Sequence, residues 1–249
     1  MTIRSSRSEV LADSRSALPP QMSIVWLIAA AMLTVVLWHV PFGRYIIYPF
    51  TILATWFHET THGLAAMLLG GSFTKLLIYS DGSGMAYYRG PLMLGALGEA
   101  LTAAAGPLGP PIAGAALILT SRSTKAASIS LTVLGAFLVF SSVIWVRSLF
   151  GLIVIPALGI GVLALALKAS PRVKGFAVQF LGVQACVSSY RSLDYLFTYS
   201  AGPLGISDTG QIQEALLLPY WIWGGLLACA SFLIMALSLY VAYRPKLKQ

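Results

Sequence analysis

Apolar residues run along this chain in blocks of roughly bilayer length, and polar residues collect in the short gaps between them. A helix needs about 20 mostly apolar residues to cross the hydrocarbon of a membrane. Blocks of this kind cover 45–69, 92–119, 127–146, 149–167, 176–199 and 219–242. A shorter one, Ile24–Trp38, precedes them and has no small-residue cleavage site after it, so it reads as an uncleaved first span. The pattern predicts an all-α integral membrane protein, a polytopic bundle of about seven transmembrane helices. Its single membrane domain is expected over residues 23–243, between a polar tail at 1–22 and a basic tail at 244–249.

One stretch departs from this rhythm. Thr74–Tyr79 and Met85–Tyr88 are β-prone, and Ser80-Asp81-Gly82-Ser83-Gly84 between them supplies turn residues. A short β-hairpin is therefore predicted directly after the second helix.

Composition supports lipid as the main solvent. Hydrophobic residues make up 57% of the 249-residue chain and charged residues 10%, against about 25% charged in an ordinary soluble domain. The formal net charge of +8 fits loop Lys and Arg lying against anionic headgroups. No RNA- or DNA-binding motif is present, so nucleic acid is not an expected partner. If every block crosses, nine basic residues, from Arg44 to Lys248, fall on one side and six on the other. That bias places the C-terminus in the cytoplasm. A bacterial inner membrane is the expected location, with an organellar membrane as the alternative. Oligomeric state is not legible. Cys186 and Cys229 sit in apolar runs without ligand spacing and read as small buried hydrophobes. Trp221 and Trp223 read as interfacial anchors.

The second block carries Phe57-His58-Glu59-Thr60-Thr61-His62-Gly63, an H-E-x-x-H pattern. Histidines four apart on a helix lie on one face, one turn from each other. Both imidazoles can then reach a single Zn²⁺. Glu59 is placed to take a proton from a water activated by such an ion and to return it to a leaving nitrogen. Two of the three histidines in the chain are in this motif. A charge at mid-bilayer costs at least about 2.5–3.5 kcal/mol on insertion scales, so a polar triplet there needs a partner or a role. The competing interpretation is a polar helix face bonded to neighbouring helices.

A catalytic zinc usually has three protein ligands and one open position. Among the eight acidic residues only Glu59, Glu99 and Asp194 lie in apolar blocks. Asp194, in a late block expected to run parallel to the motif helix, is the choice for third ligand. Arg191, three residues earlier, is its expected ion-pair or supporting partner. Glu99 and Asp208 are the alternatives. His39 reads as an interfacial histidine, and Asp208, after Ser207 in a Gly-rich stretch, also reads as a cap or turn residue.

These residues resemble the site-2 protease class of intramembrane zinc metalloproteases, and most closely its compact peptidase family M-fifty, B-like branch. The resemblance rests on the H-E-x-x-H segment followed by Leu64-Ala65-Ala66 and Gly70-Gly71, and on the β-prone insertion. It also rests on Ala105-Gly106-Pro107-Leu108-Gly109-Pro110-Pro111 and on the Gly182-Val183 block with Leu193-Asp194 and, beyond it, Ser207-Asp208. Together these cover most of residues 45–225. The resemblance implies one zinc ion held by His58, His62 and an aspartate, with Glu59 as base. It implies a membrane-anchored protein substrate, guided by the hairpin as an added edge strand. Two departures stand out: the family's Leu-Asp-Gly reads Leu193-Asp194-Tyr195, and the Asn of its Gly-Pro-x-x-Asn segment is absent.

Three functions stay open at this point. The leading one is an intramembrane zinc metalloendopeptidase. The others are a zinc-binding membrane scaffold without proteolytic activity and, lower, a transporter, for which no dispersed polar pathway or internal repeat is seen.

Overall fold

A computed structural model describes residues 20–191, 193–202 and 205–244. The expected polar tail falls mostly outside these residues and the basic tail almost wholly so. The side chain of Arg191 is also outside the description, so the expected pairing with Asp194 is too.

The described chain is mostly helical. In order it forms α1 (Pro20–His39), α2 (Gly43–Leu68), β1 (Ser72–Ile78), β2 (Gly84–Arg89), α3 (Ala96–Thr120), α4 (Thr124–Ile144), α5 (Leu149–Lys168), α6 (Pro171–Arg191), α7 (Leu193–Leu196), α8 (Asp208–Leu216) and α9 (Tyr220–Tyr243). Four of these helices, α3, α4, α5 and α9, are long and apolar enough to cross a membrane. That is fewer than the expected seven. Both α2, with its His-Glu-His face, and α6, with Arg172, Lys174, Gln179 and Gln184, carry more polar residues. In α6 two of these are answered inside the bundle: Gln184 donates to Thr34 Oγ1 of α1, and Gln179 to Ser121 Oγ. The exposed sides of α4, α5 and α9 carry large apolar residues, among them Val133, Ile153, Leu167 and Leu233. A surface of that kind suits lipid contact.

Two features differ from those read off the sequence. The block 176–199 is not one helix: α6 ends at Arg191, α7 is a separate short turn, and the chain then folds back before α8. Cys229 is exposed on α9 rather than buried, while Cys186 is buried as expected.

The core centres on α2, whose buried residues Ile52, Trp56, Thr60 and Gly63 recur at helical spacing. Trp56 is 1% exposed, and its indole N–H donates to Ser141 Oγ of α4 at 3.0 Å. Where α3 crosses α6, a Cβ on Gly114 would lie 2.6 Å from the Gly182 carbonyl, and one on Gly182 would lie 2.8 Å from the Gly114 carbonyl. Paired small residues of this kind let helix backbones approach closely.

The predicted hairpin forms, antiparallel, with Leu76 opposite Ala86 and Ile78 opposite Gly84. Its turn is tied to α2: Tyr48 O–H donates to the Ser80 carbonyl and Thr55 Oγ1–H to the Gly82 carbonyl, each at 2.6 Å. The outer edge of β1 is covered by residues 145–148. Leu76 N–H donates to the Trp145 carbonyl, Arg147 N–H to the Leu76 carbonyl, and Ile78 N–H to Ser148 Oγ. Among the described residues no strand covers the outer edge of β2.

Candidate metal centre

The H-E-x-x-H residues lie in the C-terminal half of α2, where it packs on α3. The two helices meet closely because α3 presents glycine there. A Cβ on Gly106 would lie 2.0 Å from His62 Nε2, and one on Gly109 would lie 2.1 Å from Thr61 Oγ1. Thr61 Oγ1–H bridges to the Ala105 carbonyl at 2.9 Å, and His62 Nδ1 lies 2.7 Å from the Thr102 carbonyl. The Gly-Pro segment that the sequence offered thus forms the wall behind His62.

Asp208 completes the site. It is the first residue of α8, behind the N-cap Ser207, whose Oγ accepts from Gly210 N–H. Its carboxylate reaches both histidines: Oδ2 is 3.0 Å from His58 Nε2 and Oδ1 is 3.2 Å from His62 Nε2. The two Nε2 atoms are themselves 3.2 Å apart. His58, His62 and Asp208 therefore offer ligand atoms that all lie within 4.8 Å of one another. Asp208 is 3% exposed. Burial alone would raise its carboxyl pKa, but the two imidazoles outweigh this and hold it well below the usual carboxylate range.

These donors fit a divalent cation. A carbonyl only accepts, so His62 Nδ1 carries the hydrogen toward Thr102 and a neutral His62 turns a lone pair on Nε2 toward His58 and Asp208. Asp208 Oδ2, although 3.0 Å from His58 Nε2, receives no well-angled hydrogen bond and is buried. A divalent cation at the point where these ligand atoms converge would satisfy all three. Two imidazoles and one carboxylate are a donor set that suits zinc.

The other expected residues are placed apart from this cluster. Asp194 is exposed on α7 and does not take part; its neighbour Tyr195 faces the site instead, where its hydroxyl accepts from Asp208 N–H at 3.2 Å. Glu99 is exposed in the first turn of α3. His39 is exposed at the end of α1, with Nδ1 2.8 Å from the Val35 carbonyl. Sorting the acids by local apolarity pointed to Asp194 because burial was equated with membership of an apolar block. The chain instead buries Ser207, Asp208, Thr209 and Gly210, at the start of α8, against the bundle. Ser207-Asp208, a helix-start signal ahead of the last block, was the available clue.

Glu59 is held from the hairpin side: its Oε2 accepts from Ala86 N–H on β2 at 2.7 Å. The cluster opens into a cavity of about 540 Å³ bounded by α2, β2, Tyr195 and Ile206.

The family profile described as Peptidase M50B-like matches residues 26–238. The chain belongs to that family, a family of membrane metallopeptidases, and is an integral membrane protein. Searches of curated proteins and of solved structures give no significant match.

Proposed function

We propose that this protein is an intramembrane zinc metalloendopeptidase that hydrolyses peptide bonds of membrane-anchored proteins. The observation that carries this reading is the convergence of His58, His62 and Asp208 on one point beside Glu59 and an open cavity. In this reading these three residues hold the ion, and Asp208 replaces Asp194 as third ligand. All seven long helices, including α1, α2 and α6, would then lie in the membrane. When bound, the ion supplies Lewis acidity, polarising a carbonyl and acidifying water.

The remaining steps belong to the chain. Thr102 fixes the tautomer and direction of His62. Glu59 accepts the proton of the attacking water and returns it to the leaving nitrogen. β2 offers a strand edge to the substrate: Gly84, Met85, Ala86 and Tyr88 line the cavity beside Glu59. A peptide drawn out along that edge exposes a carbonyl that an intact helix would keep hydrogen-bonded.

The altered Leu193-Asp194-Tyr195 segment favours a scaffold without activity only if Asp194 is the third ligand, and it loses that force with Asp208 available as the carboxylate. Glu59→Gln in the purified protein tests the choice. Cleavage of a membrane-anchored substrate should fall at least about 10²-fold, the size of a general-base contribution, with zinc content unchanged. Equal cleavage by wild type and variant would overturn the enzyme reading.

A further inference from the structure

The Glu59 carboxylate takes up a backbone N–H on the outer edge of β2. Hydrogen-bonded and non-hydrogen-bonded pairs alternate along an antiparallel ladder. Leu76, opposite Ala86, spends its backbone N–H on the Trp145 carbonyl and its carbonyl on Arg147 N–H, away from β2. The Leu76–Ala86 pair is therefore a non-hydrogen-bonded one, and the Ala86 N–H points out of the sheet edge. There it meets Glu59 Oε2 at 2.7 Å. Gly84, two residues earlier, sits close enough that a Cβ would lie 2.7 Å from Glu59 Cγ. Glu59 thus occupies the Ala86 N–H on the β2 edge that lines the cavity.

From this geometry we infer that Ala86 N–H is an interlock between substrate docking and the proton acceptor. This rests on the metallopeptidase reading above. With the edge empty, Glu59 is tied to β2. A peptide that adds to β2 as a strand needs the same N–H for its own carbonyl. The N–H changes acceptor, from Glu59 Oε2 to the substrate carbonyl, and the carboxylate is released toward the water as the peptide bond arrives. Substrates unable to pair with β2 leave Glu59 tied and are cleaved slowly. Ala86 is a positioning residue that acts through Glu59.

Two measurements test the interlock. Proline is tolerated at an edge position whose N–H lies outside the ladder, so Ala86→Pro removes this one donor. A hydrogen bond to a charged group is worth about 1.5–3 kcal/mol. Ala86→Pro should therefore raise kcat on a fluorogenic dipeptide, too short to form a strand, by about tenfold or more. On a long extended substrate it should raise KM. Loss of activity on both substrates alike, or no change on either, with zinc content as in wild type, overturns the interlock.

The second measurement needs neither turnover nor Ala86→Pro. The Glu59 carboxylate band is assigned by infrared difference against Glu59→Gln. It should shift when a Val/Thr decapeptide with a reduced central amide is added to wild-type protein in detergent. An unmoved band with the peptide bound overturns the interlock. Zinc loss, or cleavage indifferent to Glu59→Gln, would instead count against the metallopeptidase reading, and the infrared result would still decide the exchange of acceptors.

Discussion

His62 Nδ1 lies 2.7 Å from the Thr102 carbonyl, and that contact turns Nε2 of the same ring toward His58 and Asp208. One backbone oxygen of α3 thereby sets both the tautomer and the direction of a candidate ligand on α2. The close approach of the two helices at Gly106 makes this possible.

Metal content should separate the acids. His58→Ala, His62→Ala and Asp208→Ala are each expected to lose stoichiometric zinc, because two ligands hold the ion far more weakly than three. Asp194→Ala should keep it, since Asp194 is exposed away from the cluster. Metal analysis of the purified variants checks this, and zinc loss in Asp194→Ala would restore the residue that the sequence pattern favoured.

Gly106→Ala should disable the site without replacing a ligand. Its new methyl would be placed 2.0 Å from His62 Nε2, and overpacking of this kind costs about 1–3 kcal/mol. We expect lower thermal stability and at least about tenfold weaker zinc binding, since displacing a ligand-supporting contact costs 10–100-fold. Gly161→Ala is the control: nothing lies within 4 Å of a Cβ there, and replacing a mid-helix Gly adds about 0.5–1 kcal/mol. Thermal unfolding with and without chelator compares the two.

Tyr195→Phe removes the oxygen that accepts from Asp208 N–H. An orphaned buried donor costs about 1–3 kcal/mol, and here it is the donor at the root of a ligand side chain. Zinc affinity should fall roughly tenfold or more while the helical circular-dichroism signal is kept. Wild-type affinity in a competition titration with a chelator would show that Tyr195 does not position Asp208.

The hairpin tip should loosen in acid. Asp81 Oδ1 accepts from Ser83 Oγ–H at 2.7 Å and from Ser83 N–H at 2.9 Å, and these bonds, the hydroxyl first, hold the carboxyl below its ordinary value of 3.8. A group depressed in the folded state stabilises it fully above the ordinary value, and that contribution is lost as pH falls through the folded value. The protection factor of the Ser83 amide, its exchange rate divided out by the intrinsic rate at each pH, should hold from neutral pH down toward 3.8 and then fall. Asp81→Asn should remove the pH dependence.

By itself the sequence determined the lipid-compatible helices, the hairpin after the second of them, and the pair His58 and His62 with Glu59 beside them. These are local properties. Apolar block length, Asp-Gly turn chemistry and the four-residue turn of a helix need no distant partner to be read. The tertiary structure decided which carboxylate joins the histidines, and that Glu59 is tied to Ala86. Asp208 lies in a polar stretch that hydropathy assigns to the outside. It is buried only because Ser207 starts a helix whose Gly210 packs against Tyr199 and Ile206 at distances no side chain would allow. Ala86 has no side-chain signature at all. What matters there is the direction of a backbone N–H, which follows from the pairing of β1 with residues 145–148 on its far edge. Contacts between segments far apart in the chain are fixed by packing, and no window along the sequence contains them.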